Sequence, residues 1–453
     1  MIDPPLLPPA PCVSLLPSLL CTVLQSIPPG LAKRGPYGVI DLVAVSSIIL
    51  LYYDWSTVMS QLITEKLRQA IALLDEFDID CWITFVRETA LNGDPTLPFL
   101  VPGDLTWHSA VILTRDGSRT AIVGKYDRQA LLDLGAYDRV VGYVEGIRAP
   151  FLEAMSGLNP KTIAVNFSKD SEVCDGITHG MYLALVDLLS ALSLQDRIVS
   201  AEPIISALRQ RKSEWEVRTM QEAIRHTLEI FGLVTPFVTA GRTEEEIAVF
   251  MRAEVGERGL TYAWDPGSCP AVFTGPDTAE AHYSPTARQV ERGHVLNMDF
   301  GLRVNGYCSD LQRTFYVLAD GESEPPRDVL HGFETIRRAV EESRKAMKPG
   351  VPGVAIDKVA RDIITGAGYP EFPHALGHQV GRFAHDGTAL LGPAWEKYAR
   401  KPFQQLEEGM VFTIEPRLPV PGRGVVTIEE MVVVEPGGAR YLSAPQESLI
   451  VRG

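Results

Sequence analysis

The sequence predicts an α+β protein with two folded domains, an N-terminal α/β domain and a C-terminal domain around a central β-hairpin. Three observations support this fold class. The chain has 453 residues, which is long for one ordinary domain. Between about residues 60 and 205, helix-like and strand-like segments alternate, as in α/β domains. Further on, two long amphipathic helices precede a hairpin and two follow it.

Residues 1–58 differ in composition from the rest of the chain. Eight prolines occur in the first thirty positions, and the whole segment contains five charged residues. The apolar run at 42–53 is shorter than the roughly 20 residues that a membrane-spanning helix needs. No basic residue precedes the first apolar stretch, as one would in a signal peptide. We predict a disordered leader, or an artefact of an upstream start with the working protein beginning near Met59.

Residues 59–208 are predicted to form the N-terminal domain. It begins with a helix, because apolar residues recur on one helical face, at Ile63, Leu67, Ile71 and Leu74. No phosphate-binding loop or Gly-x-Gly-x-x-Gly motif occurs in this part of the sequence. The other predicted elements are a strand at 81–86, a hairpin at 110–123 with Arg-Asp-Gly in its turn, strands at 140–144 and 162–165, and a helix at 180–189.

Residues 209–453 are predicted to form the C-terminal domain. The charged run 209–214 marks the boundary and opens a long amphipathic helix. Thr243 and Glu246 can form a capping box at the start of a second helix. Two further helices are predicted at 329–347 and 356–365.

Composition limits the function classes. With 45% apolar and 22% charged residues, the chain is typical of a soluble globular protein, and we expect no membrane association. A formal net charge of -15 disfavours nucleic acid as a partner. The six cysteines are scattered without a Cys-x-x-Cys pair, which indicates a reducing compartment such as the cytoplasm and no thiolate zinc site.

The central hairpin, residues 295–317, carries two carboxylates. Asp299 ends an apolar strand, Asn305 and Gly306 provide turn chemistry, and Asp310 lies in the second strand segment. If the strands pair across this turn, the two carboxylates can lie opposite each other, and the anions then require a cation between them. Alternatively, Asp310 lies on a solvated strand and Asp299 caps a turn.

Three histidines and two glutamates extend this set. His374, His378 and His385 lie within twelve residues, whereas a lone histidine in a core segment is usually structural. Glu415 ends an apolar strand and Glu429 interrupts another, although Glu429 alone is compatible with an exposed position. The combined oxygen donors and one imidazole are typical of two adjacent divalent metal ions; the candidate ligands are Asp299, Asp310, His378, Glu415 and Glu429.

Five motifs, in order and at similar spacing, resemble those of the pita-bread-fold metallopeptidases, which include methionine aminopeptidase, aminopeptidase P and prolidase. The resemblance covers about residues 212–453 and implies a C-terminal pita-bread (creatinase/aminopeptidase) fold after an N-terminal α/β creatinase-like domain. The motifs are Met-Asp-Phe-Gly at 298–301, Tyr-Cys-Ser-Asp-x-x-Arg-Thr-Phe at 307–315, Gly-His-x-x-Gly at 377–381, Ile-Glu-Pro at 414–416 and Ile-Glu-Glu-Met at 428–431.

The resemblance implies a role for each candidate ligand. Asp299 would chelate one metal, Asp310 and Glu429 would bridge two, and His378 and Glu415 would complete the shell of the other. The implied cofactors are two divalent metal ions, Mn, Co or Zn, and the implied assembly is a homodimer formed through the N-terminal domain.

The resemblance also implies catalytic and substrate-binding residues. Glu415 would act as general base and then general acid. His282 and His385 would be both catalytic and substrate-binding, and His374 would be a further substrate-binding residue.

The expected function is therefore dinuclear-metal hydrolysis of the N-terminal peptide bond of dipeptides or short peptides, with Xaa-Pro preference. Thr427 departs from the proline-directed relatives, which usually have an arginine there. Arg417 or Arg382 can supply a replacement charge, unless both are solvated. The alternatives are a non-proline-specific aminopeptidase of the same family, a non-catalytic partner-binding protein of this fold, and a creatinase-like hydrolase that works without metal.

Overall fold

The computed structural model describes residues 42–276 and 284–453, and of residues 42–58 it describes the backbone alone. Residues 63–453 form one compact unit. The first described helix, α1, is Leu42–Glu76; it includes the predicted helix, in which Ile63, Leu67 and Leu74 are buried. The status of residues 1–58 as a leader stays a prediction. None of the described helices is both long enough and apolar enough to span a bilayer.

The N-terminal part of this unit contains a six-stranded mixed sheet, in which the strands counted along the chain lie side by side as fourth, third, second, first, fifth and sixth. The predicted hairpin is confirmed, since Ala110 pairs with Ile122 in an antiparallel register. The first strand pairs in parallel with the fifth, which requires a crossover between them. The strands are β1 (Cys81–Val86), β2 (Ser109–Thr114), β3 (Arg119–Gly124), β4 (Arg139–Tyr143), β5 (Ile163–Val165) and β6 (Ile198–Ser200).

Helices cover both faces of this sheet. Successive side chains of a strand point to opposite faces, and in β1 Trp82 joins the apolar core that includes Leu67 and Ile205. Its neighbour Ile83 joins a second core that includes Phe151. The α/β architecture predicted for this region is therefore confirmed. Its other helices are α2 (Arg128–Leu134), α3 (Arg148–Ser156), α4 (His179–Ser190) and α5 (Glu202–Gln210).

Four longer helices belong to the C-terminal part, α6 (Glu214–Val234), α7 (Glu244–Glu257), α8 (Arg327–Ala346) and α9 (Gly353–Gly366). The capping box predicted at Thr243 and Glu246 is confirmed. The charged run 209–214 opens α6 with its last two residues, since Ser213 caps that helix in a second capping box and Glu214 is its first residue. Arg209 instead lies in the last turn of α5, a helix that packs in the N-terminal core, so it belongs with the N-terminal part and not with the C-terminal domain as predicted.

The strands of the C-terminal part form several small sheets around the central hairpin, residues 295–317. Residues 277–283 lie outside the description. The strands are β7 (Thr261–Tyr262), β8 (Ala271–Thr274), β9 (Val295–Phe300), β10 (Leu302–Val304), β11 (Tyr307–Cys308), β12 (Leu311–Val317), β13 (Gly377–His378), β14 (Leu390–Leu391), β15 (Val411–Ile414), β16 (Arg417–Val420), β17 (Gly424–Thr427), β18 (Glu430–Glu435), β19 (Gly438–Tyr441) and β20 (Ile450–Arg452).

The register of the central hairpin corrects one expectation. Asn305 and Gly306 form a tight turn with φ of 48° and 79°, as in a two-residue hairpin loop. This turn places Asp299 opposite Gln312 rather than opposite Asp310. Because residues two apart share a face of a strand, Asp310 is a diagonal neighbour of Asp299 on the same face.

An apolar core beneath these sheets joins α8 and α9 to the last strands. Ile336 of α8 and Ile356 of α9 pack in one cluster with Phe412 and Val432. This core therefore holds β15, which precedes Glu415, and β18, which follows Glu429. The fold thus presents the ends of β9, β12, β15 and β18 close together.

Candidate metal centre

The central hairpin contributes two acidic side chains to one buried site. Asp310 is 5% exposed, and it lies immediately before β12. Asp299 Oδ1 is buried and has no hydrogen-bond partner among the described residues. A carboxylate oxygen in this state is costly unless a cation accompanies it.

His378 reaches the same site from β13. Its Nε2 lies 3.8 Å from Asp310 Oδ2 and 3.4 Å from Glu415 Oε1. The backbone requires glycine just before it, because a Cβ at Gly377 would lie 2.1 Å from the carbonyl oxygen of Thr413. The Thr413 hydroxyl in turn accepts a hydrogen bond of 3.1 Å from the His378 amide. Close packing against β15 therefore fixes the histidine beside the carboxylates.

The two predicted glutamates complete the cluster. Glu415 follows β15, and its amide donates a 2.8 Å hydrogen bond to the carbonyl of Leu376. Glu429 precedes β18, forms an isolated antiparallel bridge with Gln312, and its Oε2 is buried without a partner among the described residues. The Gln312 side chain donates to Glu415 Oε2 at 3.4 Å. Gln312 therefore links both glutamates.

The structure brings all five candidate ligands together. One ligand atom from each of Asp310, His378 and Glu429 lies within 4.8 Å of the others. Asp299 and Glu415 adjoin them closely enough for their charges to act on Asp310. Two unpaired buried oxygens, crowded carboxylates and one imidazole make a donor set that fits hard or borderline divalent ions.

The electrostatics of the cluster show why it suits a cation. Burial raises the pKa of Asp299 to about 7. Burial, followed by the charges of Asp299 and Glu415, raises the pKa of Asp310 well above its usual range. Burial and the neighbouring carboxylates also raise the pKa values of Glu415 and Glu429. Without a cation, the cluster holds its negative charge only at considerable cost.

Of the three other histidines predicted to act at the site, the structure describes His374 and His385. The ring centroids of His385 and His378 lie 4.2 Å apart with the rings nearly perpendicular. His374 lies on the wall of the same cavity, where burial lowers its pKa to about 4 and the nearby cations act in the same direction. His374 is therefore neutral at physiological pH. His282 lies outside the described residues, so its role stays a prediction.

A cavity of about 960 Å³ opens above the cluster. The N-terminal part of the chain contributes Pro95, Glu172 and Val173 to its wall. Trp264 and Tyr398 are aromatic wall residues from the C-terminal part. Sequence reasoning missed these residues, because a wall assembled from distant segments leaves no local pattern.

The structure shows which arginine lies near Thr427, the position where the proline-directed relatives usually have an arginine. Thr427 pairs directly with Arg417 across the antiparallel strands β16 and β17. Residues paired in this way share one face of the strand pair, and both line the cavity. The guanidinium of Arg382 instead stacks over Phe99 and Tyr307, 5.7 Å and 5.3 Å from their ring centroids. The cavity therefore has a guanidinium on the strand opposite position 427.

A scaffold and a cluster of this kind define a metal-dependent hydrolase. The sequence profile described as "Metallopeptidase family M24" matches residues 218–436. A relative from Mycoplasma genitalium is 30% identical over 289 residues, which cover 62% of this chain and 76% of the relative. This chain belongs to metallopeptidase family M24, and the resemblance noted in the sequence is confirmed.

Further comparisons give a more distant relative and two solved structures of the same fold. The Xaa-Pro dipeptidase of Pyrococcus furiosus is 27% identical over 326 residues, covering 70% of this chain and 89% of that protein. Two solved structures have the same fold, the dipeptidase PepE from Mycobacterium ulcerans (TM-score 0.66, 24% identity, 86% of this chain and 98% of that chain) and the Xaa-Pro dipeptidase from Bacillus anthracis (TM-score 0.67, 23% identity, 86% and 99%). The predicted α+β pita-bread fold class is therefore confirmed.

Proposed function

We propose that this metallopeptidase is a dinuclear-metal exopeptidase that hydrolyses the N-terminal peptide bond of dipeptides or short peptides, with a preference for Xaa-Pro. The observation that carries the proposal is the buried cluster of four carboxylates and one imidazole at the base of an open cavity. Membership of family M24 supports peptides as the substrates. The names of the dipeptidase and Xaa-Pro dipeptidase relatives support the short substrate and the proline preference.

Five side chains would hold the metal ions in this proposal. When bound, a pair of Mn, Co or Zn ions would supply a nucleophile at neutral pH and polarise the scissile carbonyl. The donors are mostly oxygen, which suits Mn or Co, although availability decides the metal in the cell. The proposed ligands are Asp299, Asp310, His378, Glu415 and Glu429.

The chain's own residues perform the remaining chemistry. Glu415 lies at the edge of the cluster, with its Oε1 3.4 Å from His378 Nε2, so it is suited to take a proton at one stage and return it to the leaving amine at the next. His385, beside His378, is positioned to donate a hydrogen bond to the substrate carbonyl as charge develops there. His374, neutral and on the cavity wall, is suited to contact the residue after the scissile bond. With His385, His282 is proposed to supply hydrogen bonds to the developing oxyanion and to the leaving group.

Arg417 supports a substrate that ends in a free carboxylate. It lies on the cavity wall with His374, and its charge acts on both His374 and Glu415. A planar guanidinium is the side chain best suited to bind a carboxylate through two parallel hydrogen bonds. In a dipeptide this carboxylate is one residue beyond the scissile bond. We therefore assign Arg417, which pairs with Thr427 across the two strands, to the carboxylate of a dipeptide.

A non-proline-specific aminopeptidase is the second candidate, and Thr427 is the observation that favours it. A survey of dipeptides and tripeptides with and without proline in second position, run with Mn, Co and Zn, tests both candidates. The proposal predicts faster cleavage of Xaa-Pro dipeptides, and equal cleavage of all substrates contradicts the proline preference. Loss of hydrolysis on chelation, with recovery on metal addition, separates the enzyme from a partner-binding protein and from a metal-free hydrolase. The homodimer and the cytoplasmic location are part of the proposal, and size measurement in solution tests the first.

A further inference from the structure

We infer that Arg209, from the N-terminal part of the chain, is a positioning residue that holds His385 in place through Asp386. The inference rests on the proposed function, since it assigns His385 a contact with the substrate. It goes beyond that function, because it gives a residue of the N-terminal part a role in positioning a catalytic side chain.

Asp386 closes the loop that carries His385, residues 379–389 between β13 and β14. Its amide donates a 2.8 Å hydrogen bond to the carbonyl of Gln379, and its Oδ2 accepts a 2.6 Å hydrogen bond from the amide of Arg382. A Cβ at Gly381 would lie 2.0 Å from Asp386 Oδ2, so the loop is packed tightly around this carboxylate. Any displacement of Asp386 therefore moves the adjacent His385.

Arg209 holds Asp386 from the other side. Its Nη2 pairs with Asp386 Oδ1, and the two side chains are 0% and 1% exposed. Its Nη1 donates a 2.7 Å hydrogen bond to the carbonyl of Pro95, a residue of the cavity wall. The guanidinium also lies 5.2 Å from the ring centroid of Phe99 and 5.5 Å from that of Phe383. Arg209 is thus fixed by the N-terminal part and by the loop at once.

The presence of a buried ion pair does not by itself indicate a gain in folding stability, since well-packed apolar residues of similar volume often stabilise a protein as much. Its value here is in geometry, because a paired and fully buried guanidinium allows one arrangement of the loop. Two further hydrogen bonds support the end of α5 and its connection to the loop. Gln210 donates to the Thr388 hydroxyl at the far end of the loop, and Lys212 donates to the Arg209 carbonyl.

Arg211 provides a matched control two residues away. It also joins the two parts of the chain, through ion pairs of 2.7 Å with Glu76 and 2.6 Å with Glu407. These pairs are partly exposed, and neither partner belongs to the His385 loop. A purely structural role predicts that each variant loses activity only in proportion to its loss of folding stability, which is larger for the buried Arg209 pair. Positioning of His385 predicts a loss of kcat at Arg209 alone, in protein that is still folded.

The test is a double-mutant cycle on the metal-loaded full chain with an Xaa-Pro dipeptide. A displacement of about 1 Å in a reacting group costs about 10²-fold in rate, so we expect Arg209→Met to lower kcat by about that factor with KM and metal content little changed. In the His385→Ala background the same change should have almost no further effect, since residues that act through one another are non-additive. Arg211→Met should leave kcat within about twofold.

The outcomes separate the two proposals. If Arg209→Met lowers kcat equally with and without His385, or if Arg211→Met has the same effect, the positioning role is wrong. If Arg209→Met does not fold, Asp386→Asn, which keeps an acceptor for the Arg382 amide, takes its place in the cycle, and full activity in that folded variant overturns the inference. If the wild-type chain loaded with metal hydrolyses no peptide, the proposed function fails instead.

Discussion

The substitution Asp299→Asn should make the metal-free protein more stable and the metal-loaded protein less stable. In the folded chain Asp299 Oδ1 has no hydrogen-bond partner among the described residues, so an amide of the same shape loses little there. What the amide removes is a negative charge crowded against other carboxylates. Functional sites often retain residues that lower the stability of the ligand-free protein, and a metal ligand such as Asp299 would be one of them.

The magnitude follows from the shift in pKa. Burial raises the pKa of Asp299 from 3.8 to about 7, and each unit of pKa corresponds to about 1.36 kcal/mol. The ionised carboxylate therefore costs the folded metal-free chain about 4 kcal/mol above pH 7. In the unfolded chain this carboxyl loses its proton near pH 4, whereas in the folded chain it keeps the proton to near pH 7. The free energy of unfolding thus falls as the pH rises between these values, and Asp299→Asn removes that fall.

Urea denaturation of chelator-treated protein at about pH 5 and about pH 8 measures the effect. We expect Asp299→Asn to gain about 4 kcal/mol over wild type at the higher pH and about 1 to 2 kcal/mol at the lower. Metal at a hundred times its dissociation constant should add about 2.7 kcal/mol for each ion bound by the wild type and less to the variant.

Glu430→Gln is the matched control, one residue from Glu429. Glu430 Oε1 lies 3.1 Å from Arg313 Nη1, and both side chains are buried, so breaking this pair should cost about 3 to 5 kcal/mol at pH 8, the opposite sign to Asp299→Asn. A metal-free Asp299→Asn protein that is less stable than wild type at pH 8, or equally changed at both pH values, would refute the reasoning.

Three further predictions concern activity. Glu415→Gln should lower kcat by about 10²- to 10⁴-fold with little change in KM, as expected for a group that moves a proton; steady-state kinetics checks this, and an effect confined to KM would contradict it. Asp310→Ala or His378→Ala should abolish metal-dependent hydrolysis, and near-full activity in either would end the assignment of the site. Arg417→Met should raise KM for dipeptides by about 10- to 100-fold, since hydrogen bonds to charged groups contribute about 1.5 to 3 kcal/mol, and should leave dipeptide amides unaffected; equal losses for both substrates would argue against the carboxylate contact.

Much of the fold could be predicted because its signals are local. The helix at Thr243 has a capping box whose two members are three residues apart, and the hairpin at Ala110 has a turn sequence between two apolar strands. The relation of Asp299 to Asp310 was predicted less well. Counting outward from the turn at Asn305 and Gly306 gives the observed register, so the signal was present in the sequence.

The site was predictable as a set of residues and not as an arrangement. Each acidic candidate stood out because it interrupts or ends an apolar strand, as Glu429 does. The charged run 209–214 was predicted to mark a boundary and open a helix, yet Arg209 and Lys212 are buried. Their burial depends on Asp386, 177 residues further along the chain from Arg209. No local pattern reports a contact over such a separation.

Metal analysis of the purified chain, paired with hydrolysis of an Xaa-Pro dipeptide, tests the central claim most directly. Two divalent ions per chain, loss of both ions and of activity on chelation, and recovery of both on addition of Mn or Co are the expected results. A chain that binds no divalent ion, or that hydrolyses the dipeptide equally well after chelation, would contradict the account.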